Sequence, residues 1–200
     1  KEIAIIEKLG VKMINGVKLG KDFTVASLKA QNDAVIVAVG AWKSSSMRTP
    51  GEELDGIYGG IDFLRAVALK QEINIGDKVV ICGGGNTAMD ACRTAVRLGA
   101  KEVYCVYRRT RNEMPAEDIE ITEAEEEGVQ FKFLTNPISF NGKDGKVKSV
   151  TLQLMELGEP DASGRRRPVA IEGKTEELDV DSVIVAIGQK LVNENVSELK

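Results

Sequence analysis

Histidine is absent from the 200 residues, and with it go Ser-His and Cys-His nucleophile pairs and every His-containing metal site. Cysteine is sparse. Cys82, Cys92 and Cys105 have no CxxC spacing and are too few for an iron-sulfur cluster, so they read as small residues on buried faces. Neither sign of charge dominates: 27 basic against 31 acidic residues give a net of -4, which leaves no overall attraction to a polyanion and excludes nucleic acid as the expected partner. No apolar run reaches the length of a membrane span, so no membrane partner is expected. The opening Lys1-Glu2-Ile3 is neither a signal peptide nor an initiator methionine, so the chain reads as cytoplasmic and as excised from something longer. What remains, 42% hydrophobic and 29% charged, is the composition of an ordinary soluble protein with length enough for one good core.

The chain is organised around residues 78–99, KVVICGGGNTAMDACRTAVRLG. A short β-branched run meets three glycines, and small residues at helical spacing follow directly, so strand, tight turn and helix come in one piece. Gly83, Gly84, Gly85, Asn86, Thr87 and Ala88 fit G-x-G-x-x-A. Gly83 allows the tight turn, Gly85 lets a pyrophosphate approach the backbone, and Ala88 stands where helix packs on strand. Asn86 is the expected N-cap, and the helix start offers N–H groups and a partial positive charge to phosphates. By itself the motif is weak; the strand before it, the helix over 86–98 and a second strand over 102–107 supply the context it demands. No Gly-Lys-Ser/Thr follows the loop, which excludes a Walker-type site.

Periodicity places further helices over 2–9, 24–30 and 60–70, and one from Pro115 to Glu127. It also gives buried strands over 34–39, 129–134 and 182–187, a strand-like stretch over 11–14, and a surface loop between 40 and 58. Antiparallel strands are expected over 147–157 and 167–171, joined by the turn-rich 158–164. Residues 33–40, DAVIVAVG, are echoed by 181–188, DSVIVAIG, so two buried strands ending in glycine bracket everything between them. The acidic run over 117–127 reads as a solvated helix face, and Arg165-Arg166-Arg167 as a solvated hairpin end that could also touch a phosphate.

An NAD-binding domain carries Asp or Glu at the end of its second strand, for the ribose 2′-hydroxyl. Here that strand ends Val106-Tyr107 and continues Arg108-Arg109-Thr110-Arg111. Guanidinium groups there suit a 2′-phosphate, which accepts bidentate bonds, so the cofactor expected is NADP(H) rather than NAD(H).

The segments GGGNTAMDACRTAVRLGA, YRRTRNEMPA and EEEGV resemble the nicotinamide-binding domain of the small (beta) subunit of NADPH-dependent glutamate synthase and related FAD/NAD(P)-linked oxidoreductases. DAVIVAVG and DSVIVAIG resemble the strands at which those chains cross between FAD and NADPH domains. The resemblance implies an α/β, Rossmann-like three-layer ββα domain over 59–188 that binds NADP(H), with partial FAD-domain segments at 1–58 and 189–200. It also implies that the nicotinamide passes a hydride to FAD, with Gly83, Gly85, Asn86 and Thr87 on the pyrophosphate. Arg108, Arg109 and Arg111 would take the 2′-phosphate, and Ala186, Ile187 and Gly188 the nicotinamide end, with no catalytic side chain and no metal. The partners implied are the remainder of the FAD domain and an electron-accepting subunit or domain. The family's FAD fingerprint, iron-sulfur region and flavin-side Gly-Asp motif do not occur here, so FAD is expected of the parent enzyme rather than of this fragment, and the fragment alone is expected to be inactive. Two other readings stand beside this one. A non-catalytic NADP(H)-sensing domain would not need the flanking strand pair, and a dehydrogenase acting on a carbinol would need a proton-handling residue that the chain, lacking histidine and a Tyr-x-x-x-Lys pair, does not offer.

Overall fold

The computed structural model describes residues 2–162 and 164–192; the end of the expected 189–200 segment lies outside them. Two compact units divide the chain, one spanning Trp42–Lys190 and the other drawn from Lys1–Ala41 and Leu191–Lys200. The second contains α1 (Glu2–Lys8) and α2 (Val25–Gln31). A reciprocal capping box starts α2: Thr24 Oγ1 accepts from the Ser27 N–H at 3.1 Å, and Ser27 Oγ accepts from the Thr24 N–H at 3.0 Å.

The Trp42–Lys190 unit carries, in order, β1 (Lys43–Ser44), β2 (Ile57–Gly59), α3 (Gly60–Ala68), β3 (Lys78–Cys82), α4 (Asn86–Arg97), β4 (Glu102–Tyr107), a 3-10 turn at Arg111–Glu113 and α5 (Asp118–Glu126). It continues with β5 (Gln130–Phe133), β6 (Thr135–Lys143), β7 (Lys146–Pro160), β8 (Arg166–Asp179), β9 (Ser182–Val185) and β10 (Gln189–Lys190). A five-stranded parallel sheet in the order β2-β9-β3-β4-β5 forms its centre, and β6-β7-β8 make an antiparallel sheet. Strand alternation sorts the core into two faces. Val79, Ile81 and Cys105 pack against the helices through Phe63, Met89 and Ile121, while Val80, Cys82 and Val106 pack against Phe140, Val147 and Leu152 of the antiparallel sheet. The result is the expected α/β arrangement of three layers, helices on one face of the sheet and a β-meander on the other.

Five local expectations are corrected. Residues 34–39 form no strand, and Ile36 is 92% exposed; no strand among the described residues pairs with this run, and β-branched residues without a sheet neighbour do not make a strand. Residues 11–14 likewise form none. The supposed loop over 40–58 holds β1 and the start of β2, the edge strand that pairs with β9 from Ile57 opposite Val183. The helix placed from Pro115 begins at Asp118, because Thr110 and Glu113 close a capping box around the 3-10 turn first. The acidic run is not wholly solvated either: Arg93 of α4 bonds Glu120 at 3.0 Å and Glu127 at 2.7 Å, which ties α4 to α5. No helix among the described residues is long and apolar enough to cross a membrane.

The return of the chain into the sheet is fastened at Asp181. Its Oδ2 accepts from the N–H groups of Asp77 at 2.9 Å and Lys78 at 3.0 Å, at the entry to β3. The Lys78 N–H, followed by that of Asp77, holds the Asp181 carboxyl below its usual range. Because the folded value is lowered, the stability it contributes is complete above the unfolded carboxyl's value of about 3.9 and is lost as pH falls through the lower folded value. Asp181→Ala is expected to cost about 1–3 kcal/mol at neutral pH. Thermal melts as a function of pH check it: the gap between Asp181→Ala and the unmutated chain closes in acid, and a gap that stays constant with pH would rule out the carboxylate as its source.

Candidate functional site

The loop after β3 is held from both sides. The Gly83 N–H donates to Val106 O at 3.1 Å, and the Ala186 N–H donates to Cys82 O at 2.8 Å. Gly83 has φ +148°, and a Cβ there would lie 2.3 Å from Ala186 O. Gly84 lies under the Tyr107 ring, where a Cβ would come to 2.6 Å. Gly85 differs: its φ is -98°, and an added Cβ would meet only Pro115 Cγ at 3.8 Å. Gly85, not Asn86, is the N-cap of α4, and no side chain caps the helix. Asn86 turns its Oδ1 to the Glu117 N–H at 3.0 Å instead, so the first-turn N–H groups are left without a side-chain acceptor at a positive helix end.

These residues open on a cleft of about 750 Å³, within the ordinary size of small-molecule sites. Of the expected site residues, Gly83, Gly84, Gly85, Asn86, Thr87, Arg108, Arg109, Ala186, Ile187 and Gly188 line it, and Arg111 does not. Ala186, Ile187 and Gly188 follow β9, so the parallel pairing of β9 with β3 brings them beside the glycine loop. Gln189 Nε2 then donates to Thr87 Oγ1 at 3.3 Å.

The three arginines after β4 are in different situations. Arg108 is exposed at the cleft. Arg109 is 4% exposed, and its guanidinium donates Nε–H to Arg166 O and Nη2–H to Asp161 Oδ2, each at 2.7 Å. Arg111 bonds Glu125 at 2.6 Å and Thr122 Oγ1 at 3.2 Å, on α5. Of the three, Arg108 is the one exposed at the cleft, while the guanidinium groups of Arg109 and Arg111 hold elements of the fold together.

Sequence reasoning passed over several lining residues. Tyr107 donates its hydroxyl to Glu113 O at 2.7 Å, and the Ala116 N–H donates to Gly84 O at 3.1 Å. The segment after β4 is thereby folded over the glycine loop, placing Pro115 in the cleft wall. Met47 and Thr49 arrive on a loop organised by Glu52, whose carboxylate accepts from Ser46 Oγ at 2.8 Å and from the N–H groups of Met47 and Arg48 at 3.0 and 2.8 Å. Arg165, from the arginine triplet read above as a solvated hairpin end that could also touch a phosphate, comes to the cleft from the β7–β8 turn. The cysteines are all buried; burial pushes the Cys82 and Cys92 thiols well up, so neither is a thiolate at neutral pH. Among the described residues no cluster of acidic or thiol side chains could hold a metal ion.

Comparison with known proteins adds the following. A family model described as pyridine nucleotide-disulphide oxidoreductase matches residues 7–200. The chain is 44% identical over 193 residues to the NADPH-Fe(3+) oxidoreductase subunit beta of Geobacter sulfurreducens, covering 94% of this chain and 29% of that one. It is 39% identical over 198 residues to the small chain of the NADPH glutamate synthase of Escherichia coli, covering 92% and 42%. FprA from Mycobacterium tuberculosis in complex with NADPH shares the fold, with a TM-score of 0.74 at 24% identity over 88% of this chain and 54% of that one. The chain thus spans less than half the length of these two relatives by sequence.

Proposed function

From membership of the pyridine nucleotide-disulphide oxidoreductase family, to which this chain belongs, we propose that it is the NADP(H)-binding part of a flavoprotein oxidoreductase, and that it positions NADPH for hydride transfer to FAD. The observation that carries this is the uncapped start of α4 opening, through Gly85, on a cleft that Arg108 also lines. The site fits the cofactor on its own chemistry. Nothing crowds the backbone at Gly85, where an added Cβ would meet only Pro115 Cγ at 3.8 Å, the donors there are N–H groups and a helix end, which favour an anion, and a cation stands at the second strand's end where an NAD site would have a carboxylate.

In this proposal Gly83, Gly84 and Gly85 shape the loop, and the N–H groups of Asn86 and Thr87 bond the pyrophosphate. Arg108 bonds the 2′-phosphate, and Ala186, Ile187 and Gly188 line the nicotinamide end. NADPH supplies a hydride when bound. The protein's part is to hold the ring in place and keep water away, so no side chain need act as acid or base. The relatives matched by sequence are more than twice as long as this chain, and the flavin is assigned to the remainder of the enzyme. The two relatives' names share NADPH and differ in what else they act on, which supports assigning the matched segment to the shared electron donor, with the remaining partners supplied elsewhere in each enzyme. Three free buried thiols suit a reducing cytoplasm.

Titration of the chain with NADPH and NADH, followed by nicotinamide fluorescence, tests this. NADPH is expected to bind at least about tenfold more tightly, and Arg108→Ala to remove most of that difference, in keeping with a charge-assisted bond to phosphate. Equal affinities in the unmutated chain would overturn the cofactor assignment.

A further inference from the structure

A 2′-phosphate carries nearly two negative charges, and with Arg109 and Arg111 occupied elsewhere, Arg108 alone would face it from β4. The cleft has another guanidinium. Arg165 lines the same cavity as Arg108 but comes from the turn between β7 and β8, more than fifty residues further along the chain. Its described residues are bonded to one another: the Asp161 N–H donates to Arg165 O at 2.7 Å, and the Gly164 N–H to Asp161 O at 2.9 Å. It is also fastened to β4's exit, because the buried Arg109 reaches Asp161 Oδ2 and Arg166 O, the residues on either side of the turn. Arg108 is exposed at the cleft, whereas Arg109 is buried and its guanidinium bonds the turn that brings Arg165 to the same opening.

Resting on the NADP(H) assignment above, we infer that Arg165 is a second specificity residue for the 2′-phosphate, and that Arg109 is a positioning residue acting through the Asp161 clamp rather than a ligand. The nucleotide's adenosine end is then read by two elements, the end of β4 and the tip of the meander. Both must be in register for the phosphate to be held from two sides.

The test measures Kd for NADPH, NADH and 2′,5′-ADP on the full chain and on Arg165→Ala, Arg167→Ala and Asp161→Asn. Arg165→Ala is expected to weaken NADPH and 2′,5′-ADP about tenfold while leaving NADH unchanged. Arg167→Ala, which removes an exposed charge next door but outside the cleft, leaves all three unchanged. Asp161→Asn weakens NADPH selectively in the unmutated background and adds little once Arg165 is alanine, the non-additivity expected of residues acting as a unit. If NADPH is preferred in the unmutated chain and lost with Arg108→Ala, yet is indifferent to Arg165→Ala, the Arg165 inference falls and the NADP(H) assignment stands. An equal loss with Arg167→Ala would show a general charge effect and also overturn it. Full additivity of Asp161→Asn with Arg165→Ala would remove the positioning role, and failure of the unmutated chain to distinguish NADPH from NADH would overturn both assignments.

Discussion

Gly83→Ala is expected to lower stability by about 3–5 kcal/mol, combining strain at a conformation that L side chains rarely adopt with overpacking. The methyl would enter 2.3 Å from the Ala186 carbonyl oxygen and 2.9 Å from its carbon, with Ala88 Cβ at 3.4 Å. None of these is the free end of a flexible side chain. The loop cannot move aside cheaply, since the Gly83 N–H is bonded to Val106 O and the Ala186 N–H to Cys82 O; any shift breaks the junction of β3 with β4 or with β9. With about 2–4 °C of melting temperature per kcal/mol for a domain of this size, the midpoint should fall by roughly 10 °C or more. Circular dichroism melts decide it. A fall of under about 3 °C would mean that the turn relaxes away from Ala186 and that the junction is not the rigid support proposed. Nucleotide binding should be lost along with the junction, so this variant speaks to the scaffold and not to the ligand.

The strand–glycine–helix unit was legible because it is local: apolar alternation, three glycines and small residues at helical spacing all lie within about twenty residues, and β3 and α4 form there. The strand β9 was legible for the same reason. Its echo over 33–40 was not, because an apolar β-branched run reports a preference for burial without supplying the neighbour that satisfies it; Val183 has β2 and β3 on either side, while Ile36 lies exposed. β6 was missed because TNPISFNGK, with a proline and four side-chain amide or hydroxyl groups, lacks clean alternation, and its ladder to β7 shifts register between Pro137 and Ser139. At the site, residue type located the basic end of the cleft but not which guanidinium would face it. That is decided by tertiary contacts: Arg109 is buried against Asp161 and Arg166 while Arg108 stays exposed, and the β7–β8 turn brings Arg165 to the same cleft.

Gly85→Ala should have the opposite profile to Gly83→Ala: a folded protein that no longer binds the nucleotide. Backbone angles of φ -98° and ψ 176° suit alanine, and the new methyl meets nothing closer than Pro115 Cγ at 3.8 Å. Alanine is a poorer N-cap than glycine, a loss of about 0.5–1 kcal/mol. The reduced freedom of the unfolded chain returns about 0.4–1 kcal/mol, so the melting midpoint should barely move. The methyl, however, occupies the space between the start of α4 and the cleft, where the pyrophosphate must approach the N–H groups of Asn86 and Thr87. Displacing the phosphates from two charge-assisted bonds of about 1.5–3 kcal/mol each weakens binding on the order of 100-fold or more. NADPH and NADH should suffer alike, because both carry the pyrophosphate, whereas Arg108→Ala affects only NADPH. Parallel melts and fluorescence titrations separate the possibilities. Unchanged affinity in a normally folded Gly85→Ala chain would place the nucleotide away from the glycine loop and sink the proposed site, and a collapsed melting midpoint would make Gly85 a packing residue. Loss of both cofactors from a stable fold is the result that the open space at Gly85, beside an uncapped helix, requires.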